Sequence, residues 1–432
     1  MSTLLSSTVS GSTVKGGPPP PTTYSESIVV MDADTGQILY EKNGDIQCMP
    51  ASTTKVMTAL LVIENLDLNK MIIVGKNPPF TEGASMGFKE GEVVMAKELL
   101  YALLLHSAND AAEIFAEEIS GSTEEFAKLM NEKAKELGAT NTSFINPSGL
   151  TGEESNLTTA RDLALITAAA AQKPELLEIS QTLSHMLPLT NLVTDVNRWA
   201  TNKNKLMSQS SEFYYEPIIL GKTGWTPDAG YSFTAIGEKD DQRIVVTMLK
   251  SVNQKVYWTE TKELMEWAFN NFSVYKLYSE GQTLKKIITK NGDEVNLVAD
   301  KDFYYAGEKS ETTPVAYLEF SEALNLTGNV KAFEVIDTAT VLVDGIEAGS
   351  INLVAEKDVI LAAEKNVETM TETDKTESGT TVRNAASYVA GILFLIAGLM
   401  LIVRFVNKSR RQRMKRRKMS PKRMEYYKKR EK

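Results

Sequence analysis

Cysteine occurs once in the 432 residues, at Cys48, and histidine twice, at His106 and His185. One thiol cannot close an internal disulfide, and so few Cys and His leave no Cys-rich metal framework. The same scarcity argues against a zinc centre and against a Ser-His-Asp nucleophile before any motif is considered. There is no Gly-rich phosphate loop and no metal-ligand spacing, so the site is expected to use neither a metal nor a cofactor. A basic start followed by a long apolar run is also missing. "MSTLLSSTVSGSTVKGGPPPPTTYSES" reads instead as a flexible Ser/Thr/Gly/Pro leader over residues 1–24. No convincing internal repeat is seen.

With 42% hydrophobic residues, a chain of this length can bury one large core or two. The net charge of −9 conceals an asymmetry. Residues 404–432 hold 15 Lys/Arg against 2 Asp/Glu, whereas the first 403 hold 32 basic and 54 acidic residues. Between these zones lies "AASYVAGILFLIAGLMLIV", 19 uncharged residues (385–403), long enough as a helix to span roughly the ~30 Å hydrocarbon layer of a bilayer. A buried core helix seldom abuts a polybasic tail, so a membrane anchor is expected. The positive-inside rule then puts the tail in the cytoplasm and the acidic bulk outside. The tail's position beside the apolar span argues against nucleic-acid binding. Export of the acidic part needs a signal, which is expected upstream of residue 1.

Along the chain, "SIVVMDADTGQILYEKN" (27–43) is two apolar runs around Asp-Ala-Asp-Thr-Gly, a hairpin signal. Helical periodicity dominates from about 96 to 180 in "AKELLYALLLHSANDAAEIFAEEI", "STEEFAKLMNEKAKELG" and "TTARDLALITAAAAQ", several of them opening on Ser or Thr caps. Strand character returns in "EPIILGKTG", "GYSFTAIGE" and "QRIVVTMLKS", and "TETKELMEWAFNNF" closes this part as a helix near residue 272. The pattern predicts an α/β (α+β) domain over 25–272 with a mainly antiparallel sheet and a helical insert. Short strands separated by Gly, Asn and Asp turns predict a small all-β domain over 273–362. A polar linker (363–384), the transmembrane helix (385–403) and the basic tail (404–432) follow.

Chemistry is concentrated in three stretches. "STTKVMTALLVIENL" sets Ser52 three residues before Lys55 at the start of an apolar helix, on one face. A serine is a nucleophile near neutrality only beside a base, and a lysine is a base only when desolvation or another cation lowers its pKa. Alone, Ser-x-x-Lys is weak, and Ser52 as a plain helix cap explains it as well. "LLLHSANDAAEIFAEE" adds Ser107-Ala108-Asn109 at a helix junction, and "IILGKTGWTPDAGYSFTA" adds Lys222-Thr223-Gly224 at the end of a strand. The ordered trio Ser-x-x-Lys, Ser-x-Asn, Lys-Thr-Gly is the motif set of β-lactamases and penicillin-binding proteins.

With these residues the chain resembles the low-molecular-weight penicillin-binding proteins, the serine-type D-alanyl-D-alanine carboxypeptidases of peptidase family S11. "VVMDADTGQILYEKN", "EGASMGFKEGE", "SFINPSGL", "TARDLALI", "NKNKLM" and "GKTGWTPDAGY" extend the resemblance over nearly the whole part before the apolar span. It implies a transpeptidase-like fold and a defined set of roles. Ser52 attacks the D-Ala–D-Ala carbonyl of a peptidoglycan stem peptide, Lys55 accepts its proton, and Ser107 relays a proton to the leaving amine with Lys222 beside it. Asn109 holds the substrate amide, Lys222 and Thr223 receive the terminal carboxylate, and Gly224 lets the substrate lie against the strand. The Ser52 and Trp225 N–H groups bind the oxyanion. β-Lactams are expected as covalent inhibitors.

Three departures from the family stand out. Tyr257 occupies a position where many relatives have an arginine that helps hold the carboxylate, with Lys250 or Lys255 as possible substitutes. Ala108 stands where glycine is common between the motif's Ser and Asn, and His106 precedes the motif; the histidine reads as a packed helix-end residue. The apolar span resembles a true membrane helix rather than an amphipathic surface helix. Two other functions compete with the carboxypeptidase: a cell-wall scaffold whose site has decayed, suggested by Tyr257, and a β-lactamase. The β-lactamase lacks its expected Glu-x-x-Leu-Asn near "GEESN" (152–156), whose carboxylates read instead as a helix-start cluster.

Overall fold

The computed structural model describes residues 12–13, 17–289, 292, 294–320 and 329–359. The expected linker, membrane helix and basic tail lie outside these residues. Among the described residues no helix is long and apolar enough to cross a membrane.

Within the leader, Ser12–Thr13 (β1) pairs with the second strand of the first hairpin. That hairpin is Ser27–Asp32 (β2) and Ile38–Lys42 (β3), antiparallel as its alternating apolar runs predict. The turn between them is organised by the buried Asp32 carboxylate, which accepts from Thr35 N at 2.9 Å and Thr35 Oγ1 at 2.8 Å.

The helical part follows. A 3-10 turn at Ala51–Thr54 leads into Lys55–Asn65 (α1), then a small hairpin of Met71–Ile73 (β4) and Val93–Met95 (β5). Helices Ala96–Tyr101 (α2), Asn109–Ser120 (α3), Thr123–Glu136 (α4), Ala160–Ala171 (α5) and Pro174–Ser180 (α6) come next. The expected caps form: Ser122 Oγ accepts from Glu125 N at 3.2 Å, and Thr159 Oγ1 from Asp162 N at 3.0 Å. The "GEESN" carboxylates start no helix. They lie in a loop, because Thr159 rather than Glu153 or Glu154 takes the cap of α5.

A second small hairpin, Ser184–Leu187 (β6) with Arg198–Thr201 (β7), returns the chain to the sheet as Ile218–Thr226 (β8), Gly230–Lys239 (β9) and Gln242–Ser251 (β10). The antiparallel order is β1-β3-β2-β10-β9-β8, so the outer strand β8 faces the helical insert with one free edge. Gln254–Asn271 (α7) covers the back. It begins well before Thr259, because Asn253 Oδ1 accepts from Val256 N at 3.0 Å and starts the helix there.

The period of two along a strand explains why both faces are buried. In β2, Val29 and Met31 join the core with α1, α3 and α5, while Ile28 and Val30 join the core with α7. An antiparallel strand with no polar face results, since helices cover it on both sides.

After α7, Phe272–Tyr278 (β11) pairs with Phe303–Glu308 (β14). Thr283–Ile288 (β12), Glu294–Ala299 (β13), Ala316–Phe320 (β15), Val335–Val343 (β16) and Ile346–Ala355 (β17) form a five-stranded sheet in the order β12-β13-β17-β16-β15 around Leu297, Val341 and Leu353.

Candidate active site

The 3-10 turn carrying Ser52 is anchored by its other hydroxyls. Thr53 Oγ1 donates to Pro50 O at 2.7 Å, and Thr54 Oγ1 accepts from the Asn156 side chain at 3.1 Å. Ser52 caps nothing, since no side-chain cap bond closes either the turn or α1. Its Oγ is instead 3.1 Å from Lys55 Nζ. Ala51, just before it, has φ +49°, a left-handed conformation that costs a residue with a Cβ roughly 1–2 kcal/mol.

Lys55 is the first residue of α1 and is 0% exposed. Besides Ser52 it reaches Asn109 Oδ1 at 2.7 Å and the Ser148 carbonyl at 2.6 Å. No described carboxylate hydrogen-bonds it. Burial, reinforced by the Lys203 charge, brings its pKa down to about 7.

The long helical run from 96 is broken where Ser107 stands. α2 passes into a π turn at Ala102–His106, Ser107 takes φ +66°, and α3 restarts at Asn109. This break points Ser107 at the strand opposite, where Lys222 Nζ donates to its Oγ at 2.9 Å. Lys222 is 2% exposed and donates also to the Thr223 carbonyl at 2.8 Å. Burial and the neighbouring Lys55 charge hold its amine well below the usual lysine range. Lys-Thr-Gly lies inside β8, not at its end. The ladder continues through Gly224↔Ser232, Trp225↔Tyr231 and Thr226↔Gly230 before the turn. A Cβ on Gly224 would stand 2.8 Å from Pro50 O and 3.0 Å from Ser52 N, so only glycine lets the strand lie against the nucleophile's turn.

These elements enclose a cleft of about 430 Å³, within the usual size of a ligand site. Ser52, Ser107, Asn109, Thr223, Gly224 and Trp225 line it, with Lys55 and Lys222 directly beneath. The eight residues given site roles from the sequence, Ser52, Lys55, Ser107, Asn109, Lys222, Thr223, Gly224 and Trp225, are therefore brought to one place. His106 ends the π turn half-buried with its pKa lowered by burial, and does not line the cleft. His185 stacks on Tyr101 at 3.8 Å and meets Glu98 at 2.6 Å, a packing role.

Several parts of the site lie in stretches that extended the resemblance but in which no residue was given a role. One wall, the loop 82–88, is fastened to the start of α3. Asn109 N donates to Ala84 O at 2.6 Å, Asn109 Nδ2 to Glu82 O at 2.7 Å, and Asp110 accepts from Ser85 Oγ and the N–H groups of Met86, Gly87 and Phe88. The other wall is Gly149 and Leu150, next to the carbonyl that holds Lys55. Lys203 stands exposed at the rim, its pKa lowered by partial burial. The stretch "NKNKLM" pointed to its neighbourhood but assigned it no role.

Comparison with known proteins agrees with this geometry. The Peptidase S11 family, described as D-alanyl-D-alanine carboxypeptidase, matches residues 14–253. The chain belongs to this family. A second match, the C-terminal domain of penicillin-binding protein 5, covers residues 272–360. The S11 chain is 31% identical over 342 residues to the D-alanyl-D-alanine carboxypeptidase DacF of Bacillus subtilis, covering 78% of this chain and 86% of that one. It is 34% identical over 258 residues to DacB2 of Mycobacterium tuberculosis, covering 59% and 85%. Penicillin-binding protein 5 of Haemophilus influenzae superposes with a TM-score of 0.67 at 25% identity, covering 79% of this chain and 99% of that structure. The protein is a serine-type carboxypeptidase with a transpeptidase-like α/β fold followed by an all-β domain.

Proposed function

We propose that Ser52 attacks the penultimate carbonyl of a D-Ala–D-Ala stem peptide, releases D-alanine and leaves an acyl-enzyme that water cleaves. The arrangement of the Lys55 amine carries this reading. A neutral amine has two N–H donors and one lone pair. Asn109 Oδ1 and Ser148 O take the two donors, so the lone pair is left to face Ser52 Oγ at 3.1 Å. The hydroxyl proton then passes to Lys55 as the Oγ–carbon bond forms. The leaving nitrogen takes a proton from Ser107 Oγ, which is recharged from the buried lysines as the carbon–nitrogen bond breaks.

Ser52 N–H and Trp225 N–H stabilise the oxyanion where β8 meets the turn. Asn109 Nδ2 spends one N–H on Glu82 O and has a second for the substrate's acyl carbonyl. β-Lactams acylate the same oxygen, and their leaving amine stays tethered.

The neutral form of Lys55 is the active one, so its lowered pKa sets the sign of the pH dependence. Below about pH 7 the neutral fraction falls tenfold per unit, and above it the fraction saturates. The second-order rate of acylation by a β-lactam, which reports the free enzyme, is expected to climb with unit slope up to about pH 7 and then level off. A rate that is flat from pH 5 to 9 would remove Lys55 as the base.

The same reading places the enzyme at the outer face of the cell membrane, on peptidoglycan, held by residues 385–403 with the basic tail in the cytoplasm. The uncharged 19-residue run beside 15 basic residues supports it. The full chain is expected to sediment with membranes and resist carbonate extraction, and deletion of 385–432 to release it. Release of the full chain by carbonate would refute the anchor.

A further inference from the structure

A substrate ending in D-alanine brings a carboxylate into the cleft, and the site must supply it with a cation. The two buried lysines are committed. Lys55 is held by Ser52, Asn109 and Ser148, and Lys222 by Ser107 and the Thr223 carbonyl. Position 257 offers no charge. Tyr257 is buried against Phe233, with ring centroids 5.1 Å apart and nearly parallel, and packs edge-on to Trp258 at 4.3 Å. Burial moves its hydroxyl still further from ionisation.

The two substitutes read from the sequence are elsewhere. Lys250 pairs with Glu26 at 3.6 Å, and Lys255 lines a separate groove beside Pro21 and Glu212. Neither lines the cleft.

Lys203 does. Among the described residues its amine has no hydrogen-bond or ion-pair partner. Its backbone is nevertheless pinned on both sides. Asn202 Nδ2 donates to Ser180 O at 2.7 Å and Thr182 O at 3.0 Å, while the buried Asn204 accepts from Leu206 N at 3.0 Å. Asn204 also packs on β8 one residue before Lys222, so closely that a Cβ on Gly221 would stand 2.3 Å from its Nδ2. A free cation is thus mounted on the very strand that carries Thr223, at the open edge of the cleft.

We infer that Lys203, with the Thr223 hydroxyl, receives the substrate's C-terminal carboxylate in place of the arginine missing at position 257. The inference rests on the reading that Ser52 cleaves a D-Ala–D-Ala bond. A lysine grips a carboxylate through a single ammonium rather than a planar fork, so the flexible side chain must be ordered on binding. The contact therefore distinguishes substrates by the charge of their last residue.

The test compares a stem pentapeptide ending in free D-alanine with the same peptide ending in D-alaninamide, using the full chain and Lys203→Gln, with thermal melting as the folding control. The wild type is expected to prefer the acid by about tenfold or more in kcat/KM. Lys203→Gln is expected to lower kcat/KM for the acid by about as much and to leave the amide within about twofold, and Tyr257→Arg added to Lys203→Gln to restore part of the preference.

Two results would overturn the inference alone. In one, both substrates fall equally while the pH profile moves alkaline, which means that Lys203 acts only on the pKa of Lys55. In the other, the preference for the acid survives in Lys203→Gln. Absence of Ser52-dependent release from either substrate by the folded wild type overturns the underlying reading as well.

Discussion

Ser52→Ala is expected to abolish the covalent β-lactam adduct and to lower D-alanine release from a stem pentapeptide by on the order of 10⁴-fold or more, the scale on which nucleophile deletions act. The neighbouring hydroxyls cannot replace it. Thr53 is turned to Pro50 O and Thr54 to Asn156, and Lys55 meets only Ser52 among the hydroxyls of the turn. The fold should be indifferent to the change, because Ser52 caps no helix and, among the described residues, its hydroxyl bonds only the amine it is read as activating. Intact-protein mass spectrometry after exposure to a penicillin, beside a thermal melt, separates the two effects. A persisting adduct in a variant that melts like the wild type would place the nucleophile elsewhere.

Gly149→Ala is expected to be the most damaging single methyl in the site. Gly149 has φ +79°, and a Cβ there would stand 1.8 Å from Ala51 O, 2.4 Å from Ala51 C and 2.7 Å from Thr54 Oγ1. The first two atoms are backbone of the turn that carries Ser52, so relief requires moving either that turn or the Ser148 carbonyl that holds Lys55. Overpacking together with a left-handed alanine should cost about 3 kcal/mol or more of unfolding free energy.

The surviving folded fraction should label slowly with a β-lactam. Gly152→Ala, in the same loop, is the control. Its nearest contact would be Glu154 O at 3.7 Å and its φ is ordinary, so a change within about 0.5 kcal/mol is expected. Urea denaturation and the stoichiometry of labelling read both variants. A Gly149→Ala protein as stable and reactive as Gly152→Ala would mean that the two backbones are free to part.

What the sequence determined is what depends on near neighbours. The β2–β3 hairpin and the caps at Ser122 and Thr159 are decided within a few residues, by turn chemistry and by side chains that bond their own backbone. The three motifs and their order likewise identified the family and the residues that meet in the cleft.

Tertiary structure decided the rest. That Ser52 is an unanchored hydroxyl rather than a cap, and that Lys55 is a base, depends on Asn109 and Ser148 reaching it from far along the chain and on the helices that exclude water around it. That Lys-Thr-Gly runs through the middle of β8 depends on its pairing with β9, and that Lys203 rather than Lys250 or Lys255 faces the cleft depends on Asn204 packing against Gly221. A pKa, like a clash, is a property of surroundings that only the folded chain assembles, because desolvation and close approach are set by groups with no fixed spacing in sequence.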